Sequence, residues 1–202
     1  AARACHGQRG LHAAHLWLPA GVLLLLVLKV AWLDPGTTLF RCVSTPERVC
    51  GADQTVFVTF PEAHTLRGYS VLTPTARAGN LFRVRLYWEY LPERPAKLRT
   101  FVHVRNREAS WPMNPASGND IWAQHDVPWT DDYLIEHYEH GQIFLDEYQL
   151  RLPADMPAGS YYVEVGWYDM ERGEQLDPTM EDVQPPLRYL WRSMLLPDMV
   201  VR

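Results

Sequence analysis

His103 stands in the apolar run Phe101-Val102-His103-Val104, and Gln124, His125 and Asp126 follow between Trp122 and Trp129. A histidine held by a carboxylate is the usual general base, so the first question is whether these residues serve a nucleophile or a metal. A Ser-His-Asp arrangement also needs its serine on an exposed turn beside an oxyanion hole, and the sequence has no G-x-S-x-G turn. A lone strand histidine is more simply satisfied by its neighbours. Gln124, His125 and Asp126 on an adjacent strand would then join His103 in a structural polar network.

The run Glu136-His137-Tyr138-Glu139-His140 has the residue types of a metal site but not the spacing. A zinc helix needs histidines four apart, whereas His137 and His140 are three apart and would face opposite sides of an extended chain. Asp131 with Asp132, and Asp146 with Glu147, are sequence neighbours. Acid/base catalysis needs carboxylates that face each other across a substrate. Phosphate loops and dinucleotide fingerprints are also missing. The expectation is a protein without catalytic residues, metal ligands or cofactor.

The elements that would position these residues are strands. Of 202 residues, 47% are apolar and 21% charged, as in an ordinary globular chain, and twelve glycines and sixteen prolines break the sequence into short runs. A formal charge of −5 argues against a nucleic-acid partner. In LFRVRLYWEYL, the residues Phe82, Val84, Leu86, Trp88 and Tyr90 alternate with Arg83, Arg85, Tyr87 and Glu89, which gives one core face and one wet face. In GSYYVEVGWYD, Tyr161, Val163, Val165 and Trp167 alternate in the same way with Tyr162, Glu164 and Tyr168. Further strands are expected from Thr55, Leu66, Arg99, Ile121, Gln142 and Ser193. Eight such strands predict an all-β fold over 55–202, two antiparallel sheets packed face to face.

The N-terminal part differs in kind. Residues 16–33 are apolar apart from Lys29, long enough as a helix to cross a bilayer, and no small-residue cleavage site follows. They predict one transmembrane α-helix, with Trp17, Lys29 and Trp32 at the membrane interfaces and Pro19 in the first turn. Ala13, Ala14, Ala20 and Gly21 offer small residues for helix packing. Arg3 and Arg9 lie before the helix and Asp34 lies after it. Residues 1–15 are therefore expected to be a cytoplasmic tail, with the main domain outside the cytoplasmic membrane. Cys42 and Cys50 bracket a short loop in the oxidising compartment and are expected to form a disulfide stapling the linker 34–54. Cys5 stays on the reducing side, and Ala2 stands where a haem-attachment motif would need its first cysteine.

Two connections are long for a compact sandwich, 106–120 and the stretch after Val127. Trp111, Trp129, Tyr133 and Tyr138 there supply aromatic surface for protein or sugar contact, or else caps for the sandwich ends.

The order GYSVLTPTARAGNLFRVRLYWEYL, FVHV, AQHD, HGQIFLDEYQLRLPADMPAGSYYVEVGWYD and GEQL, over residues 66–177, resembles an Ig-like β-sandwich domain. That domain is found, often C-terminally, in bacterial membrane glycosyltransferases of the dolichyl-phosphate-mannose-dependent type and in related envelope proteins. The resemblance implies a non-catalytic module in which Gln124, His125 and Asp126 are a fold signature. The multi-span catalytic part of those enzymes has no counterpart here, and the 106–120 insertion replaces a tight turn. The resulting expectation is a single-span accessory subunit whose sandwich packs on the outer face of a larger membrane complex, an electron-transfer or glycan-handling one. The alternative is a membrane-anchored carbohydrate-binding module.

Overall fold

The computed structural model describes residues 9–33, 44–91, 97–108, 111–130, 139–179 and 182–202; side chains are described at 19–31 of the first stretch and at all the others except 128–130. The chain divides into two units, Ala1–Thr45 and Pro46–Arg202.

The first unit is helical. An α-helix, α1, runs Arg9–Leu28 and passes into a π-helical turn at Lys29–Leu33. It begins earlier than the apolar run, so Pro19 lies inside the helix and not in its first turn. Proline there leaves the His15 carbonyl without its usual i+4 donor. Val22 to Leu28 are seven consecutive exposed aliphatic residues, and Val30 is exposed too. At 3.6 residues per turn they cover every side of the helix. Among the described residues, however, no helix is long and apolar enough to cross a membrane. Trp17, Trp32 and the remaining ends of the expected span have side chains outside the described residues. Lys29 is half-buried.

The second unit is almost entirely β. The strands are β1 Gln54–Thr59, β2 Thr65–Val71, β3 Thr75–Ala76, β4 Leu81–Glu89, β5 Lys97–Asn106, β6 Ile121–Thr130, β7 Ile143–Arg151, β8 Gly159–Asp169, β9 Glu174–Gln175, β10 Arg188–Leu190 and β11 Ser193–Val201. One sheet has the order β1-β2-β4-β7; the other has β10-β11-β8-β5-β6, with β3 on β11 and β9 on β8. Pairing is antiparallel except for β3 with β11. All eight expected strands are present, and β3, β9 and β10 are additional.

Alternation places the core as expected. Phe82, Val84, Leu86 and Trp88 on β4, Tyr90 just past its end, and Tyr161, Val163, Val165 and Trp167 on β8 are buried. Trp88 meets Trp167 edge-on at 5.1 Å, which locks one sheet against the other. Pro197 sits where β11 shifts register against β8, a place that tolerates a missing N–H.

The wet face of β4 is only partly wet. Tyr87 is buried because residues 46–53 lie over it, and its hydroxyl donates to Gly51 O at 2.5 Å. Val49 is buried in the same strip, and the Asp53 amide donates to Ser70 Oγ at 2.9 Å. The end of the expected linker thus belongs to the sandwich unit. Cys50 is disulfide-bonded; Cys42 and Cys5 lie outside the described residues.

Candidate functional site

Strand β5 is the centre of the site because both of its faces are covered. Leu98, Thr100, Val102 and Val104 point into the core, while Phe101, His103 and Arg105 share the outer face with Gly166 and Glu164 of β8 through the register Phe101–Gly166 and His103–Glu164. Phe101 is nevertheless fully buried. Its ring lies where a side chain at position 166 would be, so a Cβ there would come within 2.4 Å of the ring. The ring stacks on His103 at 4.6 Å and meets Tyr168 at 4.7 Å.

Around His103 the polar groups close into a network. His103 Nε2 is 3.1 Å from Asp126 Oδ1, and its Nδ1 is 3.6 Å from Glu164 Oε2. Arg105 donates through Nη1 to Glu164 Oε2 at 3.0 Å and through Nε to Asp120 Oδ2 at 2.9 Å. The Ser193 hydroxyl donates to Glu164 Oε1 at 2.7 Å. Burial works to raise the Glu164 pKa, but hydrogen bonds from His103 and Ser193 and the charge of Arg105 bring it below the ordinary carboxylate value. For Arg105, desolvation works against the charge and is outweighed by Asp120 and Glu164, so its pKa is raised.

This wiring has a chemical meaning. A serine nucleophile activated by histidine requires its hydroxyl bonded to the imidazole, but Ser193 is bonded to the carboxylate and is itself fully buried. Among the described residues no group of His, Cys, Asp and Glu is arranged to hold a metal. Asp126 joins His103 as the sequence suggested. Gln124 pairs with His103 in the ladder but is exposed, and His125 pairs with Val102 and so faces the opposite way. It meets the Tyr148 ring edge-on at 5.5 Å, across the gap between β6 and β7.

That gap holds a second polar group. Asp146 pairs with Leu86 and therefore faces inward. Its Oδ2, His125 Nδ1 and Tyr148 Oη are buried, with the Tyr148 hydroxyl and the His125 ring acting against burial on the Asp146 carboxyl. Burial raises the Asp146 pKa and pushes that of Tyr148 well up.

The aromatic positions divide. Trp111 is half-buried, packs edge-on to Tyr161 at 5.1 Å and covers Gly159, so much of its ring closes the sandwich end. The connection after β5 is held down from within: Asn106 Nδ2 donates to Pro112 O at 3.0 Å and Asn114 Nδ2 to Ile121 O at 2.9 Å. Tyr133, Tyr138, His137 and the Trp129 side chain lie outside the described residues. His140 and Glu139 are exposed.

Sequence reading missed Arg105, Asp120 and Ser193 as members of the network, and it missed Trp191. Parity alone puts Arg105 and Glu164 on the His103 face, and that signal was available. Ser193 needed the register of β11. Trp191 is the most exposed large apolar side chain described, at 77%. No protein-family model matches the sequence, and no curated protein matches it.

Proposed function

We propose that this chain is a membrane-anchored, non-catalytic accessory subunit, with α1 as a single anchor and the β-sandwich packing on the outer face of a larger membrane complex. The observation that carries the reading is the helix with aliphatic side chains exposed on every side. Water disfavours such a surface by roughly 25 cal/mol for each Å², and lipid or neighbouring helices remove that cost. The proline inside α1 fits the same setting, since neighbouring helices can satisfy a freed carbonyl. In this reading the N-terminus is cytoplasmic, the sandwich extracytoplasmic and Ig-like, and Cys50 pairs with Cys42. The polar network on β5 supports the non-catalytic part, because its hydrogen-bonding groups are consumed by one another.

The test is gentle detergent extraction of native membranes, blue-native electrophoresis and mass spectrometry of what migrates with the chain. Co-migration with a defined large assembly is the expected outcome. Recovery in the soluble fraction, or migration alone near 23.3 kDa plus detergent, would overturn the reading.

A further inference from the structure

Strand β3 is only two residues long, yet it sets two arginines side by side. Its parallel register with β11 matches Val200 to Thr75 and Val201 to Ala76. The Arg202 amide donates to Ala76 O at 2.9 Å, which carries the pairing one residue further and brings Arg202 beside Arg77. Val201 and Ala76 are buried, so Thr75, Arg77 and Arg202 turn outward and are exposed. The turn that follows is braced. Gly79 takes φ 82°, where glycine avoids a steric cost, and the Asn80 amide closes the turn on Arg77 O at 3.0 Å. Gly79 N donates to Pro153 O at 3.1 Å, Leu152 N to Asn80 O at 2.9 Å, and Arg151 Nη1 to Gly79 O at 3.3 Å.

Thr73, Thr75, Arg77, Asn80 and Arg202 line an open cleft of about 400 Å³, with Ala76 and Leu81 as its apolar part. That volume lies within the range of small-ligand sites, roughly 300–1,000 Å³. Its polar groups can all donate. Besides the two guanidiniums, the Asn80 amide and the Thr75 hydroxyl, Thr73 accepts from the Arg83 amide at 2.7 Å and so keeps its O–H to give. No described carboxylate side chain lines the cleft, and among the described residues none of Arg77, Arg151 and Arg202 has an ion-pair partner. Asp155 stands on the adjoining turn, and the three guanidiniums outnumber it even with a carboxylate at the chain's end counted. A second open cleft shows the contrast. It lies beside the β10–β11 hairpin, which turns at Trp191 and Arg192 with φ of 22° and 53° and is braced by the Arg192 amide donating to Tyr189 Oη at 3.1 Å. There Arg172 pairs with Glu62, and Arg192 with Glu174 and Asp177.

Like charges set side by side across a ladder repel, and an anion between them removes that cost. Each guanidinium fork can meet two oxygens of an oxyanion at once. Two forks with further donors beside them suit a tetrahedral group with several free oxygens better than a planar carboxylate. Leu81 and the remaining volume leave room for whatever is esterified to it.

We propose that this cleft binds a phosphate ester, with its oxyanion held by Arg77 and Arg202, with Thr75 and Asn80 donating beside them, and its organic group against Leu81. The site goes beyond the subunit reading and stands without it. A soluble phosphate ester and a phospholipid headgroup present the same chemistry.

The test uses the full chain in neutral detergent, titrated with glycerol 3-phosphate, with dihexanoyl phosphatidylglycerol and with glycerol as the uncharged control. The Arg77 and Arg202 side-chain Nε–H resonances report binding. At least one phosphate probe should saturate and shift both resonances. Saturation by glycerol 3-phosphate marks a soluble ester as the ligand, and saturation by the lipid alone marks a headgroup. Affinity should fall at least about tenfold in the double variant Arg77→Gln/Arg202→Gln and stay unchanged in Arg48→Gln, which removes the same charge from another exposed arginine. The single variants lose smaller factors and serve where the double variant lowers the melting temperature. The proposal is overturned if neither phosphate probe saturates, if glycerol shifts the resonances equally, if the variants at 77 and 202 bind as the parent does, or if Arg48→Gln loses as much as they do.

Discussion

The outer faces of the two sheets are written in the same sequence pattern and come out differently. On β4 and β7, Arg83 and Arg85 converge on Glu147, with Arg85 Nε 2.8 Å from Glu147 Oε2, all three at the surface. On β5 and β8, Arg105 and His103 converge on Glu164, whose side chain is 4% exposed. Alternation marks which way a residue points and not whether water reaches it. Both glutamates have lowered pKa values, but for Glu147 the hydrogen bonds from Arg83 and then Arg85 are the chief causes, whereas for Glu164 they must first overcome burial. The first is an ion cluster that salt can screen; the second is a built interior that happens to lie outside the hydrophobic core.

The largest effect should follow Glu164→Ala. Removing a buried partner leaves Arg105, Ser193 and His103 facing an unfilled position, and losses of about 3–5 kcal/mol in urea-unfolding free energy are typical of such breaks. A loss no greater than that of Glu147→Gln would erase the distinction between the faces. Next is Gly166→Ala, which must displace the Phe101 ring; overpacking of this kind costs about 1–3 kcal/mol. A neutral result in the same assay would mean the ring is free to move.

An acid titration of stability separates the groups by sign. Glu164 and Glu147 have folded pKa values below their ordinary ones, so their contribution is present above about pH 4.5 and is lost as pH falls toward 2, the value to which Glu147 is lowered. Asp146 works the other way. Its pKa is raised by burial, so its penalty is relieved as pH falls through the raised value. Asp146→Asn should remove that relief and leave the loss below pH 4.5 intact, and a profile unchanged by the substitution would place Asp146 in water. The smallest effect belongs to Glu147→Gln: a slight drop in Tm that shrinks with added salt. A salt-independent drop would show the sheet-one cluster to be as closed as the other.

The sequence carried the long strands because nine to eleven residues of period two leave little ambiguity, as β4 and β8 demonstrate. It could not carry β3 or β9, since two residues have no period. Alternation alone makes Tyr87 wet, because the strip over it comes from a segment that composition marks as linker. His103 and Asp126 were legible as partners across neighbouring strands, but His125 took the opposite face once the register was set. Apolarity alone puts Pro19 in a first turn, whereas the helix begins at Arg9 with polar residues in its first turns. Trp191 was invisible because a hairpin without Asn or Gly gives no turn signal.

That hairpin also sets a limit on how stable the fold can become. Replacing Trp191 by Gly would remove the cost of an indole-bearing residue at left-handed φ, at a position where the ring touches little of its own chain. Selection for robustness alone would favour the glycine. Keeping the tryptophan holds the domain below its attainable melting temperature, at a turn that the rest of the fold must brace.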